Sequence, residues 1–275
     1  EQPSRIDAAL ESVRFVREKA AQFRRSLLHA AFTRGSAPHG SEWSQTTLGD
    51  VSVRVRNGVF VSRPAEVPPG APILRISAVR PLSLDTSDVR FADPEPPRAC
   101  EFALEPGDLL FTRYSGTREF VGACAVIPAS ARGLLYPDKL IRVVIDSTAA
   151  LPAYVAAYCS SPLARKWLES VMKTTAGQTG ISGRDLRRLP VPLPPLTDQL
   201  VIVGALETHL SRIEASLAAA DTVVGDGLDH GAVPVTAIVD GVVAVVLASL
   251  KVGGDRAGVE ERRCGADELL HCGCS

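Results

Sequence analysis

The feature that most constrains the fold of this 275-residue sequence is a heptad-like run of apolar residues near its start. Within residues 3–33 the apolar side chains recur at alternating intervals of three and four. This spacing predicts one long helix with a single apolar stripe, which the helix cannot bury without a partner helix. The positions of the stripe are Ile6, Ala9, Val13, Val16, Ala20, Phe23, Leu27 and Ala30.

A second long helix that could serve as this partner is predicted much further along the chain. The phrase "SRIDAAL" at residues 4–10 returns almost unchanged as "SRIEASL" at residues 211–217. The second copy lies in a run with helical apolar spacing that covers residues 196–224. We expect the two helices to pack antiparallel as a coiled coil, if the chain between them returns near its start.

The segment between the helices is predicted to be a β-rich domain, so the fold class is α+β. Residues 34–42 are rich in Gly, Ser and Pro and are predicted to be a linker. Residues 43–195 hold short apolar segments bounded by Pro, Gly and Asp, which predict strands, and residues 152–173 predict a helix broken at Pro162. The strand segments are "VSVRVRNGVF", "PILRISAV", "GDLLFTRY", "GACAVI" and "KLIRVVID".

Two segments of this domain are predicted to lack regular structure. The small residues of "TTAGQTGISG" favour a polar loop. The prolines of "RDLRRLPVPLPPL" cannot donate backbone hydrogen bonds, so this stretch is predicted to lead out of the domain without a helix or strand.

Residues 225–275 differ in composition from the rest of the chain. Gly225, Gly227, Gly231 and Pro234 stand where the second helix would continue, and they predict its end at about residue 224, followed by a disordered tail. Two explanations stay open: a frameshift or fusion replaced the natural continuation, or the tail is peculiar to this chain. Four tail residues could bind zinc, although their spacing fits no common zinc finger. They are Cys264, His271, Cys272 and Cys274.

The charge distribution separates the domain from the end of the chain. The net charge is −1, but residues 43–195 carry 18 basic and 14 acidic side chains, and residues 196–275 carry 5 and 12. A mildly basic domain permits nucleic-acid binding. The six cysteines do not form a secreted disulfide framework, so a reducing, cytoplasmic setting is predicted. The longest apolar run, residues 241–250, is too short to span a bilayer, and no membrane partner is expected.

Enzyme motifs are largely missing from the sequence. "GTREFVG" has neither the spacing nor the lysine of a phosphate-binding loop. "DPEPP" at Asp93 lacks the aromatic residue with which an amino-methyltransferase stacks a flipped base. Pro137 and Asp138 have no Glu-x-Lys partner for a metal nuclease, and Cys100, Cys124 and Cys159 lie in apolar contexts typical of core residues. No catalytic or metal-binding residue is therefore assigned.

The candidate functional residues are long polar side chains on predicted loops and strand ends. Arginine can bind guanine through two hydrogen bonds, Asn and Gln can bind adenine, and loop Lys or Arg can bind phosphate. Each could instead be a solvated or ion-paired surface charge, as with Arg118 beside Glu119 or Lys139 beside Asp138. "TRYSGTRE" and "KTTAGQTG" are the strongest candidates. The full set is Arg54, Arg56, Asn57, Arg113, Tyr114, Arg118, Lys139, Arg142, Lys173, Gln178 and Arg184.

The order helix, domain, proline-rich exit and repeated helix resembles the DNA-specificity subunit of type I restriction-modification systems. "WSQTTLGDVSVRVRNGVF", "PILRISAV", "SDVRF" and "GDLLFTRYSGTREFVGACAVI" resemble the first strands and central hairpin of its target recognition domain. "TTAGQTGISGRDLRRLPVPLPPLTDQLVIVGALETHL" resembles the exit from that domain, and "RRSLLHAAFTRG" the end of the conserved spacer helix. The resemblance covers residues 1–224.

The resemblance implies a non-catalytic subunit that binds double-stranded DNA and directs methyltransferase and restriction subunits to a split site. S-adenosylmethionine, ATP and magnesium are then expected in those partner subunits and no cofactor in this chain. One recognition domain is present, so the chain is expected to be the C-terminal half of a longer subunit or a half-length subunit that dimerises. The alternatives are a stand-alone nuclease or methyltransferase, and a coiled-coil interaction protein without a DNA role.

Overall fold

The computed structural model describes residues 5–33, 42–92, 96, 98–175 and 177–230. The chain divides into two compact units. The helical unit comprises Glu1–Arg24 and Glu207–Ser275, and the central unit comprises Arg25–Leu206. The zinc-binding alternative for the tail cysteines and most of the predicted disordered tail lie outside the described residues.

Among the described residues, the helices predicted from the sequence occur in the expected order, and a short additional helix at Gly183–Arg187 corrects the prediction that "RDLRRLPVPLPPL" begins without regular structure. Both long helices are present, and the helical segment before residue 173 breaks at Pro162 as predicted. Their bounds are α1 (Arg5–Thr33), α2 (Pro152–Cys159), α3 (Pro162–Val171), α4 (Gly183–Arg187) and α5 (Leu196–His230). No helix in this described part combines the length and hydrophobicity that a membrane crossing requires.

The second long helix continues six residues beyond its predicted end. Helix α5 passes through Gly225 and Gly227 and reaches His230. A single glycine costs a helix only about 1 kcal/mol relative to alanine, so two separated glycines are insufficient to end a helix of 35 residues. The predicted boundary at residue 224 is therefore wrong.

Thirteen strands lie in the described part of the central unit, and most are short. They are β1 (Ser44–Thr47), β2 (Ser52–Asn57), β3 (Ala71–Leu74), β4 (Val79–Arg80), β5 (Ser83–Leu84), β6 (Val89–Ala92), β7 (Leu109–Thr112), β8 (Tyr114–Ser115), β9 (Cys124–Val126), β10 (Leu140–Ile145), β11 (Lys173–Thr175), β12 (Gln178–Gly180) and β13 (Pro190–Leu193). The largest sheet has the order β2-β10-β7-β9, with all its neighbours antiparallel.

The core of the central unit forms around the two inner strands of this sheet. In β7, Leu109, Leu110 and Phe111 are fully buried, and in β10 Leu140 and Ile141 are fully buried as well. Consecutive buried residues mean that both faces of these strands are covered. One covering element is helix α2, which packs on β9. The inner strands therefore form a rigid frame from which the loops at their ends project.

Three smaller features of the central unit differ from the sequence predictions. The "TTAGQTGISG" stretch contains the antiparallel hairpin β11–β12 rather than an irregular loop. Prolines of the exit lie in β13, which pairs with β1 alone. An edge strand tolerates proline, because its unpaired side needs no N–H donors. Cys100 is exposed rather than in the core, whereas Cys124 and Cys159 are buried.

The junction between the helices and the domain is closely packed within the central unit. The ring of Phe32, at the end of α1, lies edge-on to Tyr154 and Tyr158, with centroid distances of 5.5 and 5.3 Å. The buried Gln199, in the first turns of α5, accepts a hydrogen bond from the Leu151 N–H at 2.8 Å and donates one to the Pro194 carbonyl at 2.9 Å. Both helix ends are thus fixed to α2 and its flanking chain.

Candidate nucleic-acid interface

Strand register brings three candidate segments to one end of the large sheet. Asn57, the last residue of β2, pairs with Ile141, and Thr112, the last residue of β7, pairs with Leu140. Lys139 directly precedes β10. The end of β2, the start of β10 and the end of β7 therefore coincide, and we call this edge the polar end of the sheet.

An open groove of about 670 Å³ lies beside β2 at the polar end. It is lined by Val55, Arg56, Asn57, Gly58, Phe102, Gly183, Arg184 and Arg187, and we call it the arginine groove. A Cβ atom on Gly58 would lie 2.2 Å from the carbonyl oxygens of Tyr136 and Pro137. Only glycine therefore lets the chain pass this close to its neighbour at the bottom of the groove.

Two of the three guanidinium groups in the arginine groove have no acidic partner among the residues that the structure describes. Arg56 is held in place, because its Nη1 lies 2.8 Å from Glu101 and its guanidinium lies 4.2 Å from the centre of the Phe102 ring. The hydrogen bond from Arg56 holds the pKa of Glu101 below its usual value. Arg184 and Arg187 form no ion pair with any residue that the structure describes, so their charges are available to an anion.

Helix α4 places Arg184 and Arg187 in the groove, and a capping box begins this helix. The Ser182 Oγ accepts a hydrogen bond from the Asp185 N–H at 3.1 Å, and the Ser182 N–H donates to the Asp185 carboxylate at 3.0 Å. Burial alone raises the pKa of Asp185, but the hydrogen bonds from Ser182 and the positive charges of Lys173 and Arg188 bring it below its usual value. The carboxylate therefore stays charged and keeps the cap intact.

A second hollow, of about 340 Å³, lies at the polar end next to the loop that follows β7. Its walls combine two aromatic rings with cations and hydroxyl groups, and we call it the loop pocket. It is lined by Ile76, Ser77, Arg80, Thr112, Tyr114, Ser115, Gly116, Thr117, Phe120, Lys139 and Gln178. The Thr112 hydroxyl is buried without a hydrogen-bond partner, and Lys139 forms no ion pair within the described residues.

The aromatic side of the loop pocket is fixed by contacts around Tyr114. The Arg113 guanidinium lies 4.6 Å from the centre of the Tyr114 ring, and its Nη1 donates to the Asp138 carbonyl at 3.3 Å. A Cβ atom on Gly180 would lie 2.2 Å from the Tyr114 ring, so the ring packs directly on the β12 backbone. Arg113 thus supports the Tyr114 ring, and one of its nitrogen atoms is bound to the backbone of the domain.

The polar end gathers most of the candidate residues predicted from the sequence, in two separate groups. Arg56, Asn57 and Arg184 line the arginine groove, and Tyr114, Lys139 and Gln178 line the loop pocket. The other candidates lie outside both hollows. Arg54 is exposed on β2, Lys173 is exposed on β11, Arg113 lies behind Tyr114, and Arg118 is exposed on the turn after β8.

Arg142 does not belong to the candidate interface. Its Nε lies 2.7 Å from the carboxylate of Asp108, its Nη1 donates to the Ala103 carbonyl at 2.7 Å, and the residue is only 8% exposed. Strand β10 is an inner strand with both neighbours in place, so a long side chain there points into the domain. The prediction that Arg142 contacts DNA is therefore wrong, and its role is structural.

Two cations that line the hollows, Arg187 and Arg80, were not among the candidates predicted from the sequence. Arg187 lies one helical turn after Arg184, so the i, i+3 spacing could have identified it. Arg80 lies over the ring of Phe120 at 4.5 Å in the loop pocket. Arg80 gives no local signal in the sequence, because it reaches the pocket only through strand pairing. Thr112, in contrast, is the first residue of the candidate segment "TRYSGTRE".

The fold and the site define a class of protein: an α+β domain bounded by two long helices, with several cations collected at one end of its sheet. No family model matches the chain. The type I restriction enzyme EcoKI specificity subunit of Escherichia coli strain K12 is 41% identical over 191 residues, which are 69% of this chain and 39% of that protein. The StySPI specificity subunit of Salmonella potsdam is 24% identical over 226 residues, which are 80% of this chain and 47% of that protein.

A solved structure supports the same fold. A chain from a study of complex assembly and conformational transition in a type I restriction-modification system has a TM-score of 0.51 at 20% identity, over 86% of this chain and 56% of that chain. The resemblance to type I specificity subunits predicted from the sequence is thus confirmed. The chain spans less than half the length of the curated relatives it matches, so it corresponds to part of such a subunit.

Proposed function

We propose that this chain is a non-catalytic DNA-recognition component of a type I restriction-modification system. The observation that supports the proposal is that Arg184, Arg187 and Lys139, which form no ion pair within the described part of the chain, lie in two hollows at one end of the sheet. The arginine groove offers guanidinium and amide groups, which bind guanine, adenine or phosphate. The loop pocket offers Lys139 and Gln178 beside aromatic rings. Residues 43–195 form the target recognition domain in this proposal.

The partners that we propose follow from the relatives. Methyltransferase and restriction subunits would supply the chemistry and bind S-adenosylmethionine, ATP and magnesium, in the cytoplasm. Residues 1–33 and the long helix that begins at Leu196 would be the conserved helices that set the distance between two recognition domains. The second recognition domain would come from the same gene or from dimerisation.

The pairing of the long helices as an antiparallel coiled coil is part of the same proposal. In the helical unit, the seam positions Val16, Ala20 and Ile213 are buried, and Arg24 forms an ion pair with Glu214 at 3.2 Å. Replacing Ile213 with Asp would bury an unpaired charge, which we expect to lower the melting temperature and weaken association with methyltransferase subunits. Ala215→Asp, on the exposed side of the same helix, serves as the control. Equal melting temperatures and equal association with methyltransferase subunits in the two variants would exclude the pairing of the helices.

The proposed function is tested by selection from a random duplex pool, with the chain alone and with methyltransferase subunits present. We expect one enriched sequence element and at least about a thousandfold preference for it over unrelated duplex. Enrichment of no sequence in either condition would contradict the proposal and leave the coiled-coil interaction protein as the better description.

The enzyme alternatives need a separate measurement. The purified chain, incubated with duplex DNA and either magnesium or S-adenosylmethionine, is expected to give neither cleavage nor methylation. A cleavage or methylation rate that exceeds the buffer control, and that co-purifies with the chain, would instead support a nuclease or a methyltransferase.

A further inference from the structure

The loop that forms the rim of the pocket is attached to helix α3 mainly through one side chain of that helix, Arg165. In addition, the Arg118 Nη2 donates to the Glu169 carbonyl at 3.5 Å. This rim loop, residues 113–121, leaves β7 after Thr112 and returns at Gly122, whose N–H donates to the Thr112 carbonyl at 2.8 Å. Arg165, in the first half of α3, reaches three backbone carbonyls of the loop across more than forty residues of sequence. The contact is within the central unit.

The hydrogen bonds of Arg165 use the whole guanidinium group. Its Nη1 donates to the carbonyls of Glu119 and Val121 at 3.0 and 2.7 Å, and its Nη2 donates to the Arg118 carbonyl at 2.8 Å. Its Nε donates to the Glu169 carboxylate at 2.8 Å, which orients the group. A planar fork of five N–H donors matches these acceptors, whereas the three donors of a lysine share one nitrogen atom and cannot reach them all.

The carbonyls held by Arg165 belong to the turn that builds one wall of the loop pocket. The 3-10 turn Arg118–Phe120 carries Phe120 into the pocket lining, where its ring lies under the guanidinium of Arg80. Leu168, one turn after Arg165, packs where the loop returns, because a Cβ atom on Gly122 would lie 2.9 Å from its Cδ1. Helix α3 therefore fixes both the turn and the return of the rim loop.

We propose that Arg165 is a positioning residue for sequence discrimination: it holds the pocket rim in the shape that receives one base edge, and it does not itself touch DNA. The inference rests on the proposed function. Hydrogen-bond donors and acceptors discriminate bases only when they are held in place, so loosening the rim degrades discrimination. Phosphate contacts made by cations elsewhere at the polar end are unaffected.

Four variants test the proposal, with a matched and a single-mismatch duplex taken from the selected sequence. Arg165→Met removes every hydrogen bond that the guanidinium donates and keeps much of the side-chain volume, and Arg165→Lys restores part of the donor set. Glu169→Gln keeps an acceptor for Nε and all three carbonyl bonds. Tyr154→Phe removes a hydrogen bond to the Pro192 carbonyl, which belongs to β13 and not to the rim loop, and controls for general destabilisation.

We expect Arg165→Met to lower the ratio of matched to mismatched affinity about tenfold, while affinity for unrelated duplex stays within about twofold. Arg165→Lys should recover part of the ratio, and Glu169→Gln and Tyr154→Phe should keep it. The role of Arg165 would be overturned if Arg165→Met kept the ratio of matched to mismatched affinity. It would also be overturned if Tyr154→Phe, with the same melting temperature as Arg165→Met, lost as much of that ratio. A wild-type chain that prefers no sequence would instead overturn the proposed function itself.

Discussion

The guanidinium of Arg142 and the carboxylate of Asp108 form an ion pair inside the central unit, with side chains only 9% and 4% exposed. Asp108 also accepts a hydrogen bond from the Glu105 N–H at 2.8 Å, so the pair joins β10 to the start of β7. Burial raises the pKa of Asp108, and the Glu105 N–H and Arg142 offset part of that effect. The carboxylate therefore depends on its partners to remain charged.

We expect Arg142→Met to lower the free energy of unfolding by about 3–5 kcal/mol near neutral pH, because the carboxylate loses its counter-charge. Denaturant titration measures this change. Arg75→Met is the matched control, since its ion pair with Asp88 is exposed and should contribute no more than about 1 kcal/mol. Similar losses in the two variants would contradict a structural role for Arg142.

The same variant has a defined pH dependence. A raised pKa means that ionising Asp108 opposes folding, so the wild-type protein loses stability as pH rises through the folded-state pKa. Without Arg142 this pKa rises further, and the protonated carboxyl needs no counter-charge. We expect the cost of Arg142→Met to shrink as the pH is lowered and to grow as it is raised, in unfolding titrations across the acid range. A cost independent of pH would show that Asp108 does not ionise.

The pKa of Asp50 is shifted in the opposite direction to that of Asp108, so its effect on stability has the opposite pH dependence. Its carboxylate accepts hydrogen bonds from the Thr47 hydroxyl at 2.6 Å and the Thr47 N–H at 3.0 Å, and these bonds lower its pKa. A lowered pKa adds stability above the ordinary aspartate value of about 4, and that stability is lost as pH falls through the folded-state pKa. We expect the stability difference between wild type and Asp50→Asn to narrow below about pH 4. The stability difference between wild type and Thr47→Val should narrow over the same pH range. A stability difference that is the same at all pH values would refute the linkage.

Gln199 fixes the start of α5 to the domain. Replacing it with Leu leaves the Leu151 N–H and the Pro194 carbonyl without their partner, so we expect a loss of about 1–3 kcal/mol in unfolding free energy. Gln45→Leu, at an exposed position of β1, is the control and should change stability by less than about 0.5 kcal/mol. Calorimetry that finds no difference between these two variants would remove the proposed anchoring role of Gln199.

Arg187 in the arginine groove tests the electrostatic part of DNA binding. Because it has no acidic partner in the described part of the chain, we expect Arg187→Gln to weaken binding to all duplexes alike. The slope of log affinity against log salt should fall by about one if the guanidinium contacts one phosphate. Arg75→Gln, whose guanidinium pairs with Asp88, should leave the slope unchanged. A loss confined to the matched sequence would assign Arg187 to base recognition instead.

The elements with strong periodicity could be predicted from the sequence, and those made by long-range pairing could not. The heptad spacing that includes Val16 and Ile213 predicts both long helices, and both positions are buried. The burial of Arg142 depends on β10 lying between β2 and β7, which no local pattern encodes. Likewise, the prolines of β13 are compatible with a strand only because β1 is its single neighbour.

In the candidate site, too, some residues could be predicted from local sequence and others could not. Asn57 and Arg184 are identified by residue type and loop context, and they do line one groove. The support from Arg165 escapes prediction, because its acceptors are backbone carbonyls, which every residue carries, more than forty positions away. Sequence reasoning therefore finds side chains that could meet a ligand more readily than those that hold a loop in shape.

The pairing of β1 with β13 has a consequence for how such a chain can change over time. Ser44 lies opposite Leu193, so the two chain ends of the domain lie side by side, about 5 Å apart. A segment whose ends nearly touch can be exchanged for another of different length and content without stretching its flanks. Under the proposed function, residues 44–193 would form an interchangeable cassette, and a new specificity would require a single recombination event instead of gradual substitution.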